Sequence, residues 1–404
     1  MILIPAEIRS KLQFIVGSPD MVSNLPVKIF DMHRIGFLAD LSMALLELPD
    51  IRSLPDVVTF AFWCRRANLA KIAAGANENH LKVGIGLVFH ISPSNVPVNF
   101  AFSLAFGLLS GNSCVVRLPS KETRSASVIA EAIAKLLLTH QHASLIPHIH
   151  LIRFGHDDQV NEFWLTTADG RVVWGGDATI NHMRTLKTRP RSREVAFPDR
   201  YSLCVIEPIK VLTITNEVLN HLCVQLFNDV YLMDQNACSS PQLVCWIGQD
   251  GEIENAKSRM WSTLEEHIKT RYSIEPIHVM DKFVAACGNI LSNGNIDHVE
   301  RHDNLLYRFE LSSLIDRQQE QRGYFGTIHE VSIYSLDQLA SIVDDRFQTL
   351  TYFGFDQEFL ESFVMRNRLR GIDRIVPVGK ALDMGSIWDG YDIVSSLSRI
   401  VEIQ

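Results

Sequence analysis

Along roughly the first 80 residues, apolar side chains recur at three- and four-residue steps, as at Leu38, Leu41, Leu45 and Leu48. That spacing predicts helix, and the stretch from Val58 to Ala73 repeats it. From Lys82 the texture changes to short β-type runs alternating with helical stretches. Val83 to Ile91 reads as a buried strand, Val98 to Leu109 as helix and Cys114 to Leu118 as strand. Ala126 to Leu138 follows as helix, then His148 to Phe154 and Arg171 to Trp174 as strands. Strands and helices in strict alternation predict a parallel, doubly wound sheet, whose carboxyl strand ends are where ligands bind. A second series starts near Val205, with helix over Asn216–Phe227 and Glu252–His267, and strands at Leu243–Ile247, Val331–Tyr334 and Leu350–Phe353. A helix is expected at Leu336–Val343, and Asn293-Gly294 marks a turn. The pattern thus predicts two α/β units in tandem, with a border near residues 205–210.

Composition narrows the function classes. The chain has 404 residues, 47% of them hydrophobic and 21% charged, and a formal charge of −8. An acidic balance argues against broad contact with nucleic acid or anionic membrane. The expectation is a cytoplasmic protein: apolar character at Met1 to Ala6 stops at Glu7, and no run approaches the ~20 apolar residues of a membrane span. Seven scattered cysteines without a C-x-x-C pair are neither a disulfide framework nor a zinc module. The pairs His140/His142 and His148/His150 lack a carboxylate or cysteine at ligand spacing, so no metal is expected.

Candidate chemistry lies where strands end. In Ser92-Pro93-Ser94-Asn95-Val96-Pro97, two prolines stiffen a strand-to-helix loop and would hold the Asn95 amide as a donor to a developing oxyanion. A tight turn with a capping Asn is the plainer alternative. Arg117, before Pro119 and Ser120, ends the next strand, where a guanidinium suits a ribose or its 2′-phosphate. Gly175-Gly176-Asp177 closes a further strand and opens a helix, a place where a pyrophosphate can approach backbone N–H groups. Asp234-Gln235-Asn236-Ala237-Cys238-Ser239-Ser240-Pro241 sets Cys238 among small polar residues, open to attack on a substrate. The other six, Cys64, Cys114, Cys204, Cys223, Cys245 and Cys287, sit in apolar stretches and read as core. A Cys–His hydrolase with His90 or His182 as base stays open at this point.

The order of these pieces is more telling than any one of them. A P-x-N-x-P loop, then G-N-S-C-V-V-R-x-P-S, a Gly-Gly strand end and Q-N-A-C resemble the aldehyde dehydrogenase superfamily, and within it the LuxC-type acyl-CoA reductases. Asp373-Arg374-Ile375-Val376-Pro377-Val378-Gly379 and Ile387-Trp388-Asp389-Gly390-Tyr391-Asp392 look like that family's closing motif. The resemblance covers roughly residues 80–404. It implies an α/β, aldehyde dehydrogenase-like fold: a helical segment over 1–80, a Rossmann-like cofactor domain over 81–206, a smaller catalytic domain over 207–365, and a segment 366–404 that returns to the cofactor domain and builds an oligomer interface.

By the same resemblance, Cys238 is the catalytic cysteine and Asn95 the oxyanion-hole asparagine. Ser92, Pro93, Ser94, Arg117, Pro119, Ser120, Gly175, Gly176 and Asp177 would line a cofactor, NADPH with NADH as the alternative. The implied reaction reduces an acyl thioester, delivered on CoA, on a carrier or by an acyl-transferring partner protein, to an aldehyde through an acyl-cysteine. The implied assembly is a homo-oligomer. Two departures matter. Hydrolytic relatives have a Glu general base where this chain reads Ala196-Phe197-Pro198-Asp199-Arg200, with Glu194 two positions off. Gly323-Tyr324-Phe325-Gly326 stands where the superfamily has Glu-x-Phe-Gly, so the cofactor's pose is open. Without a base to activate water an acyl-enzyme persists until a thiol or hydride removes it. An oxidative aldehyde dehydrogenase using Glu194, and a non-catalytic cofactor-binding subunit, are the alternatives.

Overall fold

The structure is a computed structural model that describes residues 1–76, 80–93 and 95–403. Two compact units divide it: residues 1–199 with 384–404, and residues 200–383.

In the first unit a six-stranded sheet runs in the order Gln13–Val16, Ile149–Arg153, Ser113–Arg117, Leu87–Ile91, Gly170–Trp174, Arg193–Phe197. The last five are mutually parallel, and Gln13–Val16 joins antiparallel at the edge. Chain order reverses at Leu87–Ile91, whose neighbours are the next strand on one side and Gly170–Trp174 on the other. Such a switch point opens a crevice at the carboxyl ends. The central strands are buried on both faces, as a sheet covered by helices requires. Helix Asn99–Leu109 is apolar nearly all round because Phe100 to Leu109 are all buried.

Two expectations for this unit need correction. Val83 to Ile91 is not one strand: Leu81–Gly84 and Leu87–Ile91 are separated at Gly86, which has φ +133°. The Asn112 side-chain oxygen accepts from the backbone N–H groups of Ile85 and Gly86, so the break is fixed from outside. Val58 to Ala73 is likewise two helices, Pro55–Trp63 and Arg66–Ala74, because Arg65 adopts an extended ψ of 138° between them.

The second unit holds a seven-stranded sheet ordered Ile296–His302, Leu306–Leu311, Thr327–Ile333, Leu243–Ile247, Tyr201–Ile206, Phe347–Phe353, Arg374–Pro377. All neighbours are parallel except the first pair, an antiparallel hairpin. Helices Asn216–Tyr231 and Asp250–Arg271 bury Leu226, Val230, Trp261 and Leu264 against one face. Leu336–Ser341 is a 3₁₀ segment rather than an α-helix, started by Ser335 and Gln338 in a capping box. Helix Pro276–Ser292 and the hairpin after it had no counterpart in the sequence pattern. Cys287 lies on that helix and is half-exposed rather than core.

Candidate active site

The first unit gathers most of the sequence-derived positions at one edge of its sheet. Ser92 and Pro93 follow Leu87–Ile91, Arg117 ends Ser113–Arg117, and Gly175 and Gly176 follow Gly170–Trp174. These three strands are adjacent in the sheet. Ser94 lies outside the described residues. Asn95 is exposed in the turn before helix Asn99–Leu109. The Ser92 hydroxyl is buried and has no hydrogen-bond partner among the described residues. Gly176 caps helix Asp177–Thr185 without a side-chain hydrogen bond, and a Cβ there would meet open space. Arg117 is steadied by a 3.2 Å hydrogen bond to the Gly155 carbonyl and by the Phe154 ring, 4.4 Å away. Pro119 accepts from Arg153 Nε at 3.2 Å, and Ser120 and Asp177 are exposed.

Asn112 belongs to the framework, and the candidate bases His90, His182 and Glu194 are all committed to other partners. Asn112, inside the G-N-S-C-V-V-R motif, donates to the Leu397 carbonyl at 2.8 Å besides accepting from Ile85 and Gly86. His90 is fully buried, 2.7 Å from Ser103 Oγ, and burial pulls its imidazole down to about 3. A neutral, enclosed ring of that kind has no route to a substrate. His182 instead pairs with Asp158 at 2.9 Å on the surface. Glu194 is held by Arg171 at 2.7 Å and Arg184 at 2.8 Å, so its carboxylate is committed to two guanidinium groups.

In the second unit Cys238 lies between helix Asn216–Tyr231 and strand Leu243–Ile247, at that strand's amino end. It is half-exposed, whereas Cys64, Cys114, Cys204, Cys223 and Cys245 are buried. Burial lifts the Cys114, Cys204 and Cys223 thiols to about 12, which keeps them protonated and unreactive.

The loop around Cys238 is held by side chains that sequence reading had passed over. Asp234 and Gln235 both have positive φ, at 50° and 61°. The buried Gln235 amide donates to the Pro241 and Thr327 carbonyls at 2.9 and 2.8 Å, and its oxygen accepts from the Gly326 and Thr327 N–H groups. One side chain thereby replaces a short piece of β-ladder and offsets the strained backbone beneath it. Gln242 accepts from Gly323 N–H at 2.8 Å. The Ser202 hydroxyl donates to the Cys238 carbonyl at 2.7 Å and accepts from Thr349 N–H.

Arg374, the lateral neighbour of Thr349 on the next strand, interacts electrostatically with Cys238. Its guanidinium donates to the carbonyls of Ala381, Lys380 and Asp383 at 2.6–2.7 Å. The buried Asp229 accepts from the Gly379 and Ala381 N–H groups of the same loop. The sequence signal for these residues was their place inside the quoted motifs: Gln235 in Q-N-A-C and Arg374 in D-R-I-V-P-V-G. Gly323, where relatives carry Glu, has no room for a side chain, since a Cβ would sit 2.2 Å from Thr327 Cβ.

Known proteins share both the fold and the sequence pattern. The chain superposes on an NAD-dependent aldehyde dehydrogenase from Sinorhizobium meliloti with a TM-score of 0.63 at 12% identity, covering 91% of this chain and 81% of that one. It superposes on 1-pyrroline-5-carboxylate dehydrogenase from Thermus with a TM-score of 0.62 at 10% identity, covering 91% and 80%. Among curated proteins, it is 24% identical over 168 residues to a long-chain acyl-protein thioester reductase of Aliivibrio fischeri, covering 41% of this chain and 33% of that protein. With the Photobacterium phosphoreum protein of the same name it is 21% identical over 327 residues, covering 78% and 62%. The chain therefore spans between a third and just under two thirds of these relatives' lengths. Residues 51–402 match the family model described as acyl-CoA reductase (LuxC). A match of that extent in a 404-residue chain, on the fold of the aldehyde dehydrogenases, makes this chain a member of the LuxC family of acyl-CoA reductases.

Proposed function

We propose that the protein reduces an acyl thioester to an aldehyde through a covalent acyl group on Cys238. The observation that carries this reading is the Cys238 loop itself. A half-exposed sulfur stands on a backbone pinned by Gln235 and Ser202, beside the cationic Arg374, while five of the other six cysteines are sealed in core. A cation near a thiol favours the thiolate, the nucleophilic form.

In the proposed first step the Cys238 thiolate attacks the thioester carbonyl. The tetrahedral oxyanion accepts from the Cys238 backbone N–H, and loss of one such donor costs about 2.7–4 kcal/mol of barrier. Collapse expels the donor's thiolate and leaves the acyl group on Sγ. Glu194, the carboxylate nearest in sequence to the superfamily's general base, is committed to Arg171 and Arg184 and does not serve as a base toward water. A reduced nicotinamide, when bound, would supply the hydride that turns the acyl group into the aldehyde. Cleavage of the Sγ–C bond then releases aldehyde and restores the thiolate.

The first unit suits such a dinucleotide. Its switch point offers the unpartnered Ser92 hydroxyl, the uncapped helix start at Gly176 and the Arg117 guanidinium. Helix starts bind pyrophosphate, and Arg117 at a strand end would favour NADPH over NADH, because a guanidinium fork suits a 2′-phosphate. The acyl group comes on CoA, on a carrier protein or from an acyl-transferring partner. Among the described residues no helix is long and apolar enough to cross a membrane.

Single-turnover mass spectrometry with a panel of acyl-CoAs and acyl-carrier proteins tests the reading. Wild type gains an acyl mass that Cys238→Ala does not, and NADPH discharges it as aldehyde. Aldehyde formation without an adduct, or equal labelling of Cys238→Ala, overturns it.

A further inference from the structure

The last turn of helix Asn216–Tyr231 holds two loops at once. The Val230 carbonyl accepts from Gln235 N–H at 2.8 Å and the Tyr231 carbonyl from Asp234 N–H at 3.2 Å, at the start of the loop that carries Cys238. One residue before Val230, the buried carboxylate of Asp229 accepts from a second loop, residues 378–383. One of its oxygens takes Gly379 N–H at 2.6 Å and the other takes Ala381 N–H at 2.9 Å. Gly379 has φ +92°, and a Cβ there would stand 2.6 Å from Gln225 Cβ on the same helix. Glycine is what lets this loop close on the helix.

The dependence between carboxylate and loop is mutual. Burial lifts the Asp229 carboxyl to about 7, and the Gly379 and Ala381 N–H groups, then Arg374, pull it back toward the charged form. Asp383 of the loop, with like charge, opposes them, and the Cys204 thiol on strand Tyr201–Ile206 is kept protonated beside it. A carboxylate out of water is stable as an anion only with its donors in place. Detaching the loop would therefore strand a buried charge.

Arg374 rides on the same loop. Its guanidinium donates to the carbonyls of Lys380, Ala381 and Asp383. Ser202 links the Cys238 carbonyl to the N–H of Thr349, the lateral neighbour of Arg374. The path from helix to Cys238 and the path from helix to Arg374 thus close into a ring, with thiol and guanidinium interacting at its far side. We propose that Asp229 is a positioning residue, which sets the Arg374 guanidinium against Cys238 by clamping residues 378–383 onto helix Asn216–Tyr231. Its role in turnover rests on Cys238 being the nucleophile. The pull of a cation on a thiol falls with distance and with the access of water, so a guanidinium that can drift favours the thiolate less.

Asp229→Asn keeps the size of the side chain but turns one oxygen into an N–H donor, so one of the two loop N–H groups meets a donor. Peptide-resolved labelling of the full chain by iodoacetamide across pH reads the consequence. The half-labelling pH of Cys238 rises by about one unit in Asp229→Asn, as in Arg374→Gln, and no further in the double variant, because both changes break one ring. Gly379→Ala, which pushes the loop off the helix without touching either charge, moves it in the same direction. Cys204 and Cys223 stay unlabelled, which an opened fold would not allow. An unchanged midpoint in Asp229→Asn, or shifts that add in the double variant, overturns the proposal. Should Asp229→Asn expose Cys204 and Cys223 to the label, Gly379→Ala decides: a rise supports the clamp and an unchanged midpoint overturns it. Iodoacetamide needs no thioester, so a clamp that fails here leaves acyl transfer to Cys238 standing, and a Cys238 that takes no acyl group leaves the clamp standing.

Discussion

Three backbone carbonyls, of Lys380, Ala381 and Asp383, hold the Arg374 guanidinium, so its charge cannot swing away from Cys238. Burial lowers the affinity of this arginine for its proton, and Asp383, Asp229 and Cys238 act in the opposite sense. An arginine stays charged at any working pH. The partner that responds is therefore the thiol. Replacing Arg374 with Gln keeps donors for part of the carbonyl set and removes the charge. The pH at which half of Cys238 is alkylated by iodoacetamide then rises by about one unit, equivalent to about 1.4 kcal/mol. Peptide-resolved labelling across pH reads this directly. An unchanged midpoint would leave Arg374 a purely structural clamp on the loop after Pro377. Cys238 and Asn95 stood out in the sequence because small polar residues and prolines surround them. Arg374 did not, because nothing local to a strand residue reveals that its fork will be met by carbonyls six to nine positions onward.

Elements were legible where each faces a core and obscure where it does not. Helix Asn216–Tyr231 and strand Leu243–Ile247 follow the usual periodicities because their apolar positions point inward. Helix Pro276–Ser292 breaks that logic: its inward position is Lys282, whose Nζ donates to the carbonyls of Asn304, Leu305 and Phe325 at 2.7–3.1 Å. The ammonium staples the turn before Leu306–Leu311 to the loop before Thr327–Ile333. Burial, with Arg301 adding repulsion, pulls Lys282 down to about 7 from an ordinary 10.5. A base whose folded value is depressed sheds its proton in the native state first. Between pH 7 and 10.5 the unfolded chain binds more protons than the native one, so stability rises with pH through that window. Below pH 7 both states are charged and the gain is absent. Lys282→Met removes the titration. The stability of wild type relative to this variant should thus improve from pH 7 to pH 9, by about 2 kcal/mol at 1.4 kcal/mol per unit of separation. Calorimetric melting of both proteins at the two pH values reads the change, and a constant difference would rule the titration out.

At the scale of the whole molecule the first unit is discontinuous, and its last piece is structural rather than ornamental. Ser398–Val401 pairs antiparallel with Leu81–Gly84, and Trp388, Ile393, Val394 and Leu397 are buried in the core that surrounds helix Asn99–Leu109. Asn112 and Arg193 hold the same segment by its carbonyls: Asn112 donates to Leu397, and Arg193 to Ser396 and Ser398. The closing Trp-Asp-Gly motif was legible in the sequence as a family signature, yet its contribution to folding depends on contacts almost three hundred residues away that no local pattern encodes. Fully burying one large aliphatic or aromatic side chain is worth about 1.5–3 kcal/mol. Four of them amount to about 6–12 kcal/mol, comparable with the entire 5–15 kcal/mol by which a domain is ordinarily stable. Loss of the segment also leaves the Asn112 amide and the edge of Leu81–Gly84 without their partners. A chain ending at Asp383 should therefore keep a folded second unit, whose residues 200–383 are intact, while the first unit opens. Limited proteolysis with mass analysis distinguishes the outcomes: fragments from 1–199 vanish early while a core near 200–383 persists. Equal survival of both regions would show that the returning segment is dispensable and that the first unit closes its core without Trp388 and Leu397.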